Sequence, residues 1–374
     1  MELELQDDQE LFVETTRRFL EAESPLTHVR DLYEDPVGFD REYWRRGAEL
    51  GWAAMLVPEE LGGGSVSGAG LLDLVLVAEE MGRLVSPGPL LPVNVVADTL
   101  ARSGRPDQQK TLATLVSGER IATWAFAEPS GRWDASGVAL AATERDGGWV
   151  LAGTKSYVQD AAVADNWLVA ARTGEGLTQF LVSAGTPGVT VRPLQSLDMS
   201  RRFGELEFAD VSVDASAVVG RVGDAAADVE RQLQVALTLQ NAETVGAVNR
   251  VYEFTLEYAK DRMAFGRPIG SYQALKHRFA DMKVWLEACN ATATASARAV
   301  QAGADDASKL VSTAKAYIGD RAPAIVQDCV QLHGGIGVTW EHDLHLYLRR
   351  VAQNAALYGT ARDHRLRVAT LLGV

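Results

Sequence analysis

The sequence predicts an α+β protein in which a β-domain lies between two helical domains. Three observations lead to this fold class. Amphipathic helical patterns occupy residues 1–120, short apolar runs separated by Gly, Asp and Pro occupy residues 121–222, and long helical patterns occupy residues 223–374. Segregated runs of strands and helices are typical of the α+β class.

The first domain, residues 1–120, is predicted to be helical. One apolar stripe runs over residues 11–20 and another over residues 71–81, while residues 51–64 between them are rich in Gly and Pro and predict a loop. The first ten residues are acidic and lack the basic start and apolar centre of a signal peptide. We therefore expect a cytoplasmic protein.

The middle domain, residues 121–222, is predicted to contain several strands joined by tight turns. Short apolar runs such as those at Trp149, Trp167 and Phe180 are bounded by turn residues, which is typical of a small β-domain or barrel.

The last domain, residues 223–374, is predicted to be a four-helix bundle. Long helical patterns separated by Gly-containing breaks cover about 225–264, 272–301, 305–332 and 342–372.

Composition excludes several functional classes. The 374-residue chain has a net charge of −14 and no basic cluster, so a nucleic-acid partner is not expected. No apolar run approaches the roughly 18 residues that span a bilayer, so no membrane partner is expected either. Two cysteines, Cys289 and Cys329, form no motif, and we expect neither a disulfide framework nor a metal site.

One carboxylate lies on the apolar face of the first long helix of the last domain. Glu243 is flanked at helical spacing by Leu239, Gln240, Gly246 and Ala247, so this helix offers it no cationic partner. The small residues predict room for a ligand beside the acid, and a carboxylate shielded from water suits a general base. The alternative is a structural Glu paired across helices, with an Arg from the last helices.

Two motifs further along the chain point to a known family. Residues 262–273 read R-M-A-F-G-R-P-I-G-S-Y-Q, and residues 331–337 read Q-L-H-G-G-I-G. They resemble the R-x-x-F-G-x-x-I-x-x-x-Q and Q-x-x-G-G-x-G motifs of the acyl-CoA dehydrogenase family. The resemblance implies FAD contacts: the first motif would touch the FAD of a neighbouring subunit, and the second would lie along the pyrophosphate. The residues concerned are Arg262, Phe265, Gln273, Gln331, Gly334 and Gly335.

Looser resemblances cover the rest of the chain. Residues 155–160 resemble the K-x-W-I-[TS]-N strand of the family, which would place Tyr157 and Gln159 against the flavin ring. Residues 125–131 resemble its T-E-P-x-x-G-S-D loop, with Ala127 replacing Thr and residues 132–134 altering the end of the motif.

The segment that carries the base in many members of the family departs from the pattern. It reads Tyr358-Gly359-Thr360 here, so Tyr replaces the usual Glu. The resemblance implies that the backbone N–H of Tyr358 donates to the thioester oxygen and that Thr360 contacts the flavin. Glu243 aligns with the base of an actinobacterial branch that acts on steroid side-chain thioesters, and it is therefore the predicted base.

The resemblance implies FAD-dependent α,β-dehydrogenation of a branched or bulky acyl-CoA. It also implies a homodimer or tetramer, with a heterotetramer containing a related chain left open, and an electron-transfer protein as acceptor. One alternative is a non-catalytic subunit of a hetero-oligomer, which the altered flavin loops favour and an unpaired Glu243 would oppose. Another is a flavin-dependent oxidase or monooxygenase.

Overall fold

The computed structural model describes residues 4–374, so the first three residues of the predicted N-terminal domain and of its acidic start lie outside the described residues. The N-terminal part of the chain is helical. Its helices are α1 (Asp7–Glu23), α2 (Leu26–Asp31), α3 (Arg41–Glu49), α4 (Gly70–Arg83), α5 (Leu90–Ser103) and α6 (Gln109–Val116). Helices α4 and α5 are buried along most of their length because they form the centre of the molecule.

The middle part of the chain is a sheet of eight strands. They are β1 (Ala122–Ala125), β2 (Ala141–Arg145), β3 (Gly148–Gln159), β4 (Asn166–Thr173), β5 (Gly176–Ser183), β6 (Val189–Leu194), β7 (Phe203–Asp214) and β8 (Val218–Val219). The order across the sheet is β6-β7-β3-β2-β4-β5-β8, and β1 pairs with β4 in parallel. The long antiparallel pair of β3 and β7 contains two bulges, one of them between Lys155 and Val158.

The C-terminal part of the chain is again helical. Its elements are α7 (Ala226–Asp261), β9 (Met263–Ala264), β10 (Arg267–Pro268), α8 (Gln273–Ala302), α9 (Ala307–His333), α10 (Leu344–Ala356) and α11 (Ala361–Leu372). The predicted fourth long helix is therefore two helices. Tyr358 and Gly359 have φ of +62° and +103°, which no helix accommodates, and they separate α10 from α11.

Helices α4 and α7 pack backbone against backbone. A Cβ atom added to Gly82 would lie 1.9 Å from the carbonyl oxygen of Glu243, and one added to Gly246 would lie 2.0 Å from that of Glu79. Only residues without a side chain allow this approach. The contact joins the N-terminal and C-terminal helices at the level of Glu243.

Candidate active site

Glu243 lies in the buried half of α7, where the sequence predicts it. The space predicted on the Gly246 side of this acid does not exist, however. The face that carries Gly246 is covered by α4, whose backbone fills the position that a ligand would need. The absence of side chains on this face serves helix packing, and that part of the interpretation was wrong.

The carboxylate of Glu243 is paired with two arginines. Arg201, in the loop between β6 and β7, donates to it at 2.5 Å, and Arg350 of α10 donates from the other side. The amide of Asn354, one turn further along α10, donates at 3.2 Å. The alternative of a Glu paired across helices with an Arg of the last helices is therefore confirmed, and the picture of an unpaired acid was wrong.

Arg350 connects Glu243 to a second acid. Its side chain is fully buried and also donates to Asp198, to the hydroxyl of Ser200 and to the carbonyl oxygens of Val85 and Ser86. Burial by itself would raise the pKa of Asp198, but the charge of Arg350, together with that of Arg201, lowers it below its usual range. Two carboxylates and two guanidinium groups thus form a neutral buried network.

The break between α10 and α11 is held by two buried basic side chains. Lys315 of α9 donates to the carbonyl oxygens of Asn354 and Leu357, the latter at 2.9 Å, and His364 of α11 donates to that of Tyr358 at 2.9 Å. Desolvation lowers the pKa of Lys315 to about 7 and that of His364 to about 4, so His364 is neutral near pH 7. Both side chains cap carbonyls that the helix end leaves unpaired.

The backbone N–H of Tyr358, predicted as a donor to the thioester oxygen, donates to no acceptor within residues 4–374. Its phenol ring is buried, and desolvation raises the pKa of the hydroxyl. The hydroxyl of Thr360 bonds to Asp363 in a capping box that begins α11. The hydroxyl of Thr360 therefore already has a hydrogen-bond partner within the chain, in addition to the flavin contact predicted for it.

The two strand residues predicted to face the flavin lie at the end of β3. Tyr157 lies in the bulge between Lys155 and Val158 with φ of +56°, and 41% of its surface is exposed. A bulge of this kind turns a side chain away from the regular alternation of the strand. The buried Oε1 of Gln159 has no hydrogen-bond partner in the described chain, so this atom is free to accept from a ligand.

The remaining predicted FAD contacts form a second, exposed group. Phe265 lies at the tip of the β9–β10 hairpin with 98% of its surface exposed. Tyr258 stacks on His333, with ring centroids 4.3 Å apart, and this contact brings the hairpin after α7 close to the Gly334 segment after α9. The exposed members of this group are Arg262, Phe265, Gln273, Gln331, Gly334 and Gly335.

The two groups of predicted contacts lie near the middle of α7 and just beyond its C-terminal end. Glu243 and Arg262 are 19 positions apart, which corresponds to about 28 Å along a helix. Tyr358 belongs to the Glu243 group, because Glu243 and Arg201 are close enough to affect its titration. The chain thus carries a mostly buried set of residues around the middle of α7 and an exposed set beyond its C-terminal end.

Comparison with known families decides the assignment. The family descriptions "Acyl-CoA dehydrogenase, N-terminal domain", "middle domain" and "C-terminal domain" match residues 6–119, 123–211 and 227–372, respectively. The chain belongs to the acyl-CoA dehydrogenase family. The family resemblance predicted from the two motifs and the predicted fold class are confirmed.

Individual members of the acyl-CoA dehydrogenase family are similar over almost their whole length. Acyl-CoA dehydrogenase IpdE2 of Mycolicibacterium smegmatis is 32% identical over 367 residues, which is 97% of this chain and 98% of that protein. A chain of the ChsE4–ChsE5 complex of Mycobacterium tuberculosis superposes with a TM-score of 0.90 at 31% identity, covering 100% of this chain and 99% of the other.

Two further structures bear on substrate and cofactor. A chain of the Tcur3481–Tcur3483 steroid ACAD has a TM-score of 0.88 at 28% identity and covers 98% of both chains. PigA, solved with FAD and proline, has a TM-score of 0.90 at 27% identity and covers 100% of this chain and 99% of the other. The predicted oxidoreductase class and FAD cofactor are confirmed at the level of the family.

Two other observations complete the description. Within residues 4–374, no helix has both the length and the apolar character needed to cross a bilayer. The same part of the chain contains no cluster of three or more His, Cys, Asp or Glu side chains arranged to hold a metal ion. Cys289 and Cys329 are both buried and free.

Sequence reasoning missed the network around Glu243. Asp198 and Arg201 lie in a connection between strands, where charged residues are ordinarily solvated, and Lys315 lies in a helix with other charges. Arg350 is one of several arginines in the last two helices, and its position in the sequence does not distinguish it from the others. The one available signal was the mostly polar connection at residues 195–202, which is long for a turn between paired strands.

Proposed function

We propose that this chain is a subunit of an FAD-dependent acyl-CoA dehydrogenase that supports the flavin site of a related partner chain and does not itself supply the catalytic base. The observation that carries the proposal is the pairing of Glu243 with Arg201 and Arg350. A base must accept a proton on a carboxylate oxygen, and here hydrogen bonds from the two guanidinium groups already occupy both oxygens. Tyr358 replaces the carboxylate at the other family position.

The exposed set of motif residues supports an intersubunit role. Arg262, at the end of α7, lies about 28 Å along the helix from Glu243, which is too far for one compact centre to use both sets within one chain. Phe265 and Gln331 belong to the same exposed set as Arg262. A fully exposed Phe is unfavourable in water, and contact with another subunit would bury it. When bound, FAD supplies the acceptor for the hydride that leaves the β-carbon of the acyl thioester. The exposed residues of this chain would hold its phosphate and adenine parts from outside the partner's centre.

The fit of FAD to the residues of this chain differs between the two sets. Exposed Arg and Gln side chains and glycine backbone suit a phosphate group, since guanidinium and N–H groups are its preferred donors. At the buried set, Gln159 offers a free oxygen, but the hydroxyl of Thr360 already bonds to Asp363. The exposed set therefore fits the cofactor better than the buried set.

The proposed substrate is a bulky acyl-CoA thioester. Its support is the alignment of Glu243 with a branch acting on steroid side chains, together with the similarity to a steroid ACAD. Gly246 no longer supports this choice, since α4 covers it. An electron-transfer protein as acceptor remains part of the proposal.

The experiment is to produce the chain alone and together with a related acyl-CoA dehydrogenase chain, and to measure flavin content and turnover of a steroid side-chain acyl-CoA. We expect stoichiometric FAD and turnover only in the mixed assembly. In that assembly Glu243→Gln should retain most of the turnover, as should the control Glu253→Gln on the same helix. Turnover abolished by Glu243→Gln with flavin content intact would refute the proposal.

A second candidate is the homo-oligomeric dehydrogenase with Glu243 as base. One observation favours it: Glu243 and Arg201 border a void of about 10 Å3 together with apolar residues of α4 and α5, namely Met81, Leu90 and Leu91. These helices would have to move apart for an acyl chain to lie there. Glu243 would then have to give up one arginine when substrate binds. The chain produced alone would carry about one FAD and be active, which is the opposite of the result expected above.

A further inference from the structure

An aromatic side chain lies between the partly exposed Tyr157 and the buried Tyr358. The ring centroid of Trp133 is 5.7 Å from that of Tyr157 and 5.4 Å from that of Tyr358, and the second pair is edge-to-face with an interplanar angle of 78°. Trp124 of β1 continues the row, 5.9 Å from Tyr358 on its other side. These distances are typical of favourable aromatic pairs, so the row is packed.

Trp133 also divides a cleft between the sheet and the C-terminal helices. On one side lies a pocket of about 420 Å3 lined by Tyr157, Gln353 and Leu357. On the other side lies a pocket of about 720 Å3 lined by Tyr358 and residues of α11. Gly131 and Trp133 belong to both linings, and since glycine has no side chain, the indole of Trp133 is the side chain that separates the two pockets.

The loop that carries Trp133 is anchored on both sides. Glu128 pairs with the fully buried Lys155 at 2.8 Å and accepts from the backbone N–H groups of residues 139 and 140. Arg172 of β4 donates to the carbonyl oxygens of Ala135 and Val138 at 2.9 and 3.0 Å. The indole is therefore placed by a built loop and not by a free segment.

We propose that Trp133 occupies the position in which a planar aromatic ligand, such as the ring system of a flavin, would lie between Tyr157 and Tyr358. The indole makes a tilted contact with Tyr157 and an edge-to-face contact with Tyr358, and a ligand ring between these two residues would have to displace it. The flavin face of this chain is thus closed by its own side chain. The inference rests on the proposed function, in which the chain supports a partner's site.

The test compares FAD binding to the chain alone and to its Trp133→Ala variant, by titration with FAD and by the visible absorption of the purified proteins. We expect the variant to bind FAD at least about tenfold more tightly, because the ligand no longer competes with two aromatic contacts. Trp285→Ala is the matched control. Trp285 lies on α8 beside Arg278 and Arg321, away from the cleft, and its loss should leave FAD binding unchanged.

The outcomes separate this inference from the proposed function. If the folded Trp133→Ala chain binds FAD no better than the unsubstituted chain, the inference is overturned while the supporting role in a mixed oligomer stands. If the unsubstituted chain alone carries about one FAD and turns over acyl-CoA, both fail. Trp133→Phe provides a second variant should the alanine variant not fold. Its smaller ring should still tighten FAD binding, and unchanged binding would count against the inference.

Discussion

Replacing Arg350 with Met tests whether the network around Glu243 is structural. The substitution keeps an unbranched side chain but leaves Asp198 without its guanidinium partner and leaves Glu243 with one arginine, Arg201, and the amide of Asn354. Removing one partner from a buried ion pair typically costs about 3–5 kcal/mol, because the remaining charge stays buried. Glu243→Gln should lower the free energy of unfolding by less, about 1–3 kcal/mol. In this variant Arg350 still pairs with Asp198, and Arg201 still donates to the amide oxygen of Asn354.

The double variant gives the decisive number. Arg350→Met leaves the buried charge of Glu243 with one arginine fewer, and Glu243→Gln removes that charge. The loss of unfolding free energy in the double variant should therefore be smaller than the sum of the two single losses by at least about 1 kcal/mol. Urea unfolding followed by circular dichroism, at one fixed protein concentration, measures the free energies. The exposed pair Arg192 and Glu207 is the control, with an expected coupling of about 0–1 kcal/mol. Additivity within about 0.5 kcal/mol for the buried pair would refute the reasoning.

Three other substitutions have defined outcomes. Gly246→Ala should lower the unfolding free energy by about 3 kcal/mol, because the added Cβ would lie 2.0 Å from the carbonyl oxygen of Glu79. The control is Gly319→Ala, whose Cβ would have its nearest atom at 3.7 Å and should leave the unfolding free energy unchanged. An equal effect of the two substitutions would contradict the packing account. The second substitution is Lys315→Met, and the free energy of unfolding of this variant and of the wild type is measured as a function of pH. The pKa of Lys315 falls from 10.5 in the unfolded chain to about 7 in the folded chain. The wild type should therefore gain up to about 1.4 kcal/mol per pH unit relative to the variant as pH rises through this window, whereas a constant difference would contradict it. Phe265→Ser should weaken subunit association about tenfold or more in sedimentation experiments without changing the circular dichroism spectrum, and unchanged association would exclude Phe265 from the interface.

Periodicity and turn residues were sufficient to predict the order of helices and strands in this chain. The division of the last predicted helix at Tyr358 was not predicted, because Leu357 to Thr360 contain no proline and only one glycine. A non-glycine residue with positive φ is set by tertiary contacts, here those of Lys315 and His364, and these lie far away in the sequence. The predicted domain boundaries near residues 120 and 222 stay a prediction.

The predicted site was only partly accessible to sequence reasoning. The motif at Arg262 and the motif at Gln331 were found because they are local, and the structure brings both to one exposed region. The environment of Glu243 was misjudged because helix periodicity gives the neighbours on one helix and says nothing about the loop at residues 198–201. The contacts of Trp133 could not be predicted for the same reason, because its partners Tyr157 and Tyr358 come from β3 and from the break before α11, which are distant in the sequence.

The position of Arg350 has a consequence for how the molecule unfolds. Its partners Asp198 and Ser200 come from the β-domain, Glu243 comes from the C-terminal helices, and the carbonyl oxygens of Val85 and Ser86 come from the N-terminal helices. Separating any one of the three parts would leave buried charges or polar groups unpaired in the others. Thermodynamic cooperativity therefore extends across all three parts, and calorimetry should record one transition for the whole chain.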